Sequence, residues 1–159
     1  MSVQSVVNIK QTPGIAGDFF DDSPRRVDPK VLTAADGSLP TVGNVFTVAD
    51  AANPSVVILG GTGSVAGILV NGKELVRSNG LTAGLTVDGD TVGSIMAMGR
   101  CWVKVGNEIT INSLPAYDTT TGAIVGVASA AGEGQALIPG AKFVEVNSAA
   151  NGLAVIQLG

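Results

Sequence analysis

From Ser55 to the final residue, short β-branched runs alternate with glycine-containing turn signals, and this rhythm limits the chain to a strand-and-turn fold. GILV and KELVR flank Asn71-Gly72, LTV and TVGSIMAM flank Asp88-Gly89, and CWVKV and EITI flank Gly106-Asn107. Asn-Gly and Asp-Gly are strong hairpin signals because both central residues of a type I′ turn need φ > 0. A fourth hairpin, YDTTTGAIVGVA, turns near Thr121-Gly122, and KFVEV and LAVIQL are joined through Asn151-Gly152. SVVIL and, further upstream, TVGNVFTVA from Thr41 to Ala49 supply two more strands. In the third hairpin Cys101, Val103 and Val105 share one face and Trp102 and Lys104 the other, while Ile109 and Ile111 share a face of the partner strand. No segment repeats apolar residues at i, i+3, i+4 and i+7 between caps. The expected fold is mainly β, a compact antiparallel β-barrel or sandwich-like domain.

The first third of the chain reads differently. Pro13, Pro24, Pro29, Pro40 and Pro54 lie within it, and prolines so spaced block long helices and central strands. Residues 1–30 are expected to form an extended N-terminal arm, with one short strand at Val6–Lys10, and residues 31–159 a β-rich domain. Hydrophobic residues make up 45% of the 159 positions, enough to fill one core.

Much chemistry is excluded cheaply. The chain has no histidine, which removes Ser-His-Asp and Cys-His catalysis and His-ligated zinc, iron or copper. Cys101 stands alone, so neither an intrachain disulfide nor a cysteine-rich zinc site can form. The net charge is −4 and no basic run interleaves with aromatics, so nucleic acid is not an expected partner. No apolar run approaches the ~20 residues of a membrane-spanning helix, and MSVQSVVNIK lacks the basic start of a signal peptide. Neither a membrane nor a secretory route is expected, and synthesis in the cytoplasm is.

Several stretches imitate ligand-binding motifs. VVILGGTGSVAG sets Gly61, Gly63 and Ala66 after a strand, as in a dinucleotide fingerprint, yet Gly67, Asn71 and Gly72 leave no room for the required helix. A nucleotide-binding enzyme using Gly60 to Ala66 is therefore a minor alternative. GILVNGKE matches a phosphate loop except that Glu74 replaces the magnesium-binding hydroxyl, and GGTGSV matches the start of a calcium repeat except at Val65. Asp18, Asp21, Asp22 and Asp28 lack the alternation of a calcium loop and have Arg25 and Arg26 among them. Asp18 with Asp22 as a glycosidase pair lacks an aromatic-lined groove. Asp88 and Asp90 serve the turn at Gly89. No metal, cofactor or catalytic residue is expected.

What remains is GIAGDFFDDSPRR, residues 14–26, the most densely charged stretch of the chain. It offers two aromatic anchors and two arginines on a proline-stiffened segment, the makings of a docking strap. Trp102, beside Arg100 and Lys104, reads equally as an interface anchor or as a core residue with snorkelling neighbours. The expected partner-interface residues are Asp18, Phe19, Phe20, Asp22, Pro24, Arg25, Arg26 and Trp102.

The order of motifs along the chain carries a resemblance. Gly14, Gly17, Asp18, Phe19, Pro24 and Arg25 make G-x-x-G-D-F-x-x-x-x-P-R, and Arg100-Cys101-Trp102-Val103 follows. Then come Tyr117, Thr120-Thr121-Gly122 and Gly126, Ile138-Pro139-Gly140-Ala141-Lys142-Phe143, and Gly152-Leu153-Ala154-Val155. This series resembles the structural cement, or capsid decoration, proteins of tailed bacteriophages. The resemblance implies a non-enzymatic virion protein on the outer surface of the capsid. It also implies a homo-oligomer, dimer or trimer, that bridges subunits of the major capsid protein. A tail or baseplate β-protein is the structural alternative.

Overall fold

A computed structural model of the chain describes residues 14–34, 38–72, 90–146 and 152–159. These residues form ten strands and no helix. β1 (Arg26–Thr33), β2 (Val45–Val48), β3 (Val56–Leu59) and β4 (Val65–Leu69) precede the long β5 (Val92–Lys104). β6 (Leu114–Asp118), β7 (Ile124–Val127), β8 (Gln135–Leu137), β9 (Lys142–Glu145) and β10 (Leu153–Leu158) follow.

Hydrogen bonding runs in the order β1-β3-β2-β4-β5, and β1 also pairs with β5, so these five strands close into a barrel. β10 and β9 extend the sheet from β5, and β7-β6-β8 form a second sheet. Closure removes the open edges on which β-proteins aggregate. It also requires β1 to lie parallel to β3, with Val31 opposite Val56 and Thr33 opposite Ile58, so the barrel is not wholly antiparallel as expected.

The barrel wall is apolar on both faces. Leu32, Phe46, Val57, Leu59, Leu69 and Ile95 form one buried cluster. Val45, Ile68, Met96, Cys101, Val103, Tyr117, Ile124, Phe143 and Ile156 belong to another. The neighbours Val45 and Phe46, Ile68 and Leu69, and Ile95 and Met96 therefore point into opposite cores. A strand covered on both faces reads as an unbroken apolar run rather than an alternation, which explains GILV and SIMAM. Thr47 is the buried polar residue of the wall, and its hydroxyl donates to Gly60 O at 2.6 Å.

Four local expectations need correction or redrawing. TVGSIMAM and CWVKV are one strand, because β5 runs on through Gly99 (φ 125°). EITI is not a strand: Ile109 is buried but Ile111 is 53% exposed. Asn107, beside it, instead ties this loop to β7, accepting from Gly126 N at 2.9 Å and donating to Gly126 O at 2.8 Å. β1 begins at Arg26 and so takes in residues 26–30 of the segment expected as arm. Around Asn71-Gly72 the first flank is β4, whereas KELVR, like LTV, Asp88-Gly89 and Val6–Lys10, lies outside the described residues. The hairpin at Thr121-Gly122 forms as expected, with Tyr117 opposite Ile124. Its turn is held by the Asp118 carboxylate, which accepts from Thr120 N at 2.9 Å and Thr121 N at 2.8 Å.

Phe46 is fully buried inside the barrel. Phe46→Ala is expected to lower unfolding free energy by about 3–5 kcal/mol, the usual cost of an aromatic-sized cavity, as measured by urea denaturation.

Candidate functional site

GIAGDFFDDSPRR lies along β5. Gly17 N donates to Trp102 O at 2.7 Å, Trp102 N to Asp18 O at 2.9 Å, and Phe20 N to Arg100 O at 3.1 Å. Residues 17–20 thus add antiparallel to β5 beyond the end of β1, while β10 pairs with the same stretch of β5. One edge of a strand holds one partner, so the strap and β10 lie on opposite sides. Between Phe20 and Arg26 the chain leaves β5 in a short loop and then rejoins it as β1, with Arg26 opposite Met98.

The strap starts in a turn closed by Asp18 N donating to Ile15 O at 3.0 Å. Gly17 occupies the third position of this turn with φ 89°, as a type II turn requires. A Cβ there would sit 2.1 Å from Val42 Cγ1 and 3.3 Å from both Asn71 N and Gly43 N, so only glycine fits. Asn71 completes the seat: its backbone N donates to Gly17 O at 2.9 Å and its side-chain Nδ2 to Asp18 Oδ1 at 2.9 Å.

The aromatic residues divide into two roles. Phe20 meets Trp102 edge to face, with centroids 5.4 Å apart and planes at 71°. Trp102 is half-buried, and a Cβ on Gly14 would come within 2.5 Å of its ring, so strap backbone lies directly against the indole. Phe19 is 37% exposed, and the Arg25 guanidinium carbon lies 4.3 Å from its ring centroid. Such a cation–π contact is worth about 0.5–1 kcal/mol at an exposed position. Gly99 makes room for it: a Cβ there would lie 2.8 Å from Arg25 Cβ.

The carboxylates are dispersed rather than gathered. Asp21 accepts from Ser23 N at 3.1 Å and from the Ser23 hydroxyl, and pairs with Arg100 Nη1 at 3.1 Å. Arg100 also donates through Nε to Gln157 at 3.0 Å, tying the strap loop to β10. The Ser23 hydrogen bond first, then its backbone N–H and the Arg100 guanidinium, hold the Asp21 carboxyl below its ordinary value of 3.8. Asp22 is fully exposed, 3.9 Å from Arg25, and Arg26 pairs with Asp28 at 3.1 Å on the surface. Exposed pairs of this kind contribute little to stability. Among the described residues no three carboxylates or thiols converge as a metal site. Pro24 is exposed beside a cavity of about 250 Å³ that Met98, Arg100 and Gln157 also line.

The glycine-rich stretch has a structural use. Gly61 N donates to Thr119 O at 2.6 Å, and Tyr117 donates from its hydroxyl to Gly61 O at 3.0 Å. A Cβ on Gly60 would lie 2.6 Å from Thr119 O. Gly60 and Gly61 are packed against the β6–β7 turn, and β4 follows in place of a helix.

Asp18, Phe20 and Trp102, expected as partner contacts, thus make contacts within the chain, while Phe19, Asp22, Pro24, Arg25 and Arg26 are exposed. Sequence reasoning missed Asn71, read only as a turn residue, and the pairing of Asp21 with Arg100. Arg100 carried a usable signal, since its alternation with Trp102 puts both on the outer face of β5.

The geometry is that of a β-barrel carrying an aromatic, charged strap with no assembled catalytic group among the described residues. Over residues 3–159 the sequence matches the structural cement protein family (E217 gp24/Pam3 gp6), and the chain belongs to that family. It is a capsid-associated structural protein of a bacteriophage virion, with a decorating and stabilising role. Its fold is shared with a chain from the capsid of Myoviridae phage XM1, at a TM-score of 0.64 and 16% identity over 100% of this chain and 98% of that one. No curated protein matches its sequence.

Acid is expected to loosen the strap. Because the Asp21 carboxyl is held below 3.8, its contribution is complete above that pH and is lost as pH falls through the lower folded value. Emission of Trp102 should shift to the red below pH 3.8, and in Asp21→Asn the shift should be largely present already at neutral pH. Gly17→Ala should expose Trp102 at every pH, read as stronger acrylamide quenching, because the added methyl displaces the turn from Val42.

Proposed function

We propose that this protein decorates the outer surface of the phage head and stabilises it by bridging neighbouring subunits of the major capsid protein. The strap is the contact element, with Phe19, Asp22, Pro24, Arg25 and Arg26 as its outward residues. Asp18, Phe20 and Trp102 hold it in place. The observation that carries this reading is that the strap backbone is fixed on β5 while an aromatic ring and two arginines remain exposed at the surface. A preordered contact segment loses less entropy on binding than a free one. Residues 1–30, the last five of them already in β1, serve as the arm of this contact, and the protein acts as a homo-oligomer, a dimer or trimer, so that several straps engage one lattice. Every bound copy then favours the intact shell by mass action.

Arg25→Ala/Arg26→Ala is expected to reduce attachment to undecorated heads on the order of tenfold, roughly 1.4 kcal/mol. Attachment should also become less sensitive to salt, because two charged contacts are gone. Co-sedimentation over a salt series measures both. Unchanged attachment of the double variant would refute the strap as the contact element.

A further inference from the structure

The strap is latched by an asparagine that precedes a glycine. We propose that Asn71-Gly72 is a deamidation site and that its conversion unlatches the strap from the barrel.

Asn71 is half-buried and touches the strap twice, through its backbone N–H to Gly17 O and its side-chain amide to Asp18 Oδ1, both at 2.9 Å. The second contact requires a donor on residue 71, because Asp18 supplies only acceptors when ionised. Gly72 has no side chain to hinder attack by its own nitrogen on the Asn71 side chain. In the reaction Gly72 N loses its proton to hydroxide and bonds to Asn71 Cγ, and the Cγ–Nδ2 bond breaks with release of ammonia. The resulting cyclic imide takes up one water, which opens either carbonyl to give aspartate or isoaspartate. No oxidant or reductant takes part.

The fold gates this chemistry. Gly72 N–H donates to Val70 O at 2.9 Å, and the Asn71 amide is held by Asp18. Both bonds have to open before attack, so conversion proceeds through local opening of the latch rather than through the closed state. Aspartate sets a carboxylate against Asp18 in place of the amide donor, whereas isoaspartate draws the former side-chain carbonyl into the main chain and places its carboxylate on Cα. In the aspartate form two like charges so close oppose each other, and the donor that held them is lost. Isoaspartate also lengthens the main chain at the point where β4 hands over to the strap's seat. Conversion is irreversible under these conditions, so the state of residue 71 records the time a particle has spent in neutral or alkaline surroundings.

The sequence carries two further pairs of the same kind, Asn79-Gly80 and Asn151-Gly152, which serve as internal references. The full chain is aged in mildly alkaline buffer and peptide-mapped by mass spectrometry, while emission and acrylamide quenching of Trp102, the only tryptophan, are followed. Conversion at Asn71 should proceed in step with a red shift and stronger quenching. The variant Asn71→Asp should show both without ageing, and Asp18→Asn in the same chain should restore native emission by returning one donor to the pair. Asn79→Asp and Asn151→Asp should leave Trp102 unchanged. Retention of the Asn71 amide while the reference asparagines convert would overturn the proposal, as would native emission in Asn71→Asp. Far-UV circular dichroism monitors folding; if Asn71→Asp does not fold, the double variant decides, native emission supporting the latch and exposed emission overturning it.

Discussion

The pairing of β5 along both of its edges is the interaction on which the rest of the molecule depends. Over Val92–Met98 it bonds β1 and β4 and so closes the barrel, and over Gly99–Lys104 it bonds β10. The strap takes the remaining edge at Arg100–Trp102. Barrel, C-terminal sheet and strap are therefore registered against one strand. Gly99 is where the two halves of β5 meet, and its φ of 125° and lack of a side chain let Arg25 pack there. A substitution at Gly99 would be felt in the strap as well as in the strand.

This arrangement separates anchoring from presentation. Phe20, Asp18 and Asp21 hold the strap to the barrel through Trp102, Asn71 and Arg100. Phe19 and Arg25 cover each other on the other side of the strap, both at the surface. The two aromatic residues of one dipeptide thus do opposite jobs because successive residues of an extended segment point to opposite sides. The low charge content fits a protein whose polar contacts are concentrated in a few places rather than spread over its surface.

Local chemistry was legible in the sequence, and long-range register was not. The turn at Thr121-Gly122 is encoded by Asp118 and by glycine within four residues, so reading it needs no knowledge of the fold. The outward face shared by Trp102 and Lys104 follows from alternation alone. By contrast, the parallel pairing of β1 with β3 and the continuity of β5 through Gly99 are decided by barrel closure. EITI failed as a strand because its expected partner, the CWVKV half of β5, already has one edge taken by β10 and the other by the strap. Within the site, the strap stood out by composition, but its seat did not. Asn71 lies 53 positions from Asp18, and Arg100 lies 79 from Asp21. An Asn-Gly pair reads as a turn whether or not its side chain latches something else.

In the proposed attachment the strap's exposed edge is the face that meets the head. A cryo-EM map of decorated heads, at a resolution that resolves side chains, tests this most directly. Phe19, Arg25 and Arg26 are expected in contact with major capsid protein at a junction between neighbouring subunits, with Phe20 still against Trp102. A map with the strap facing solvent and another face of the barrel on the capsid would contradict it.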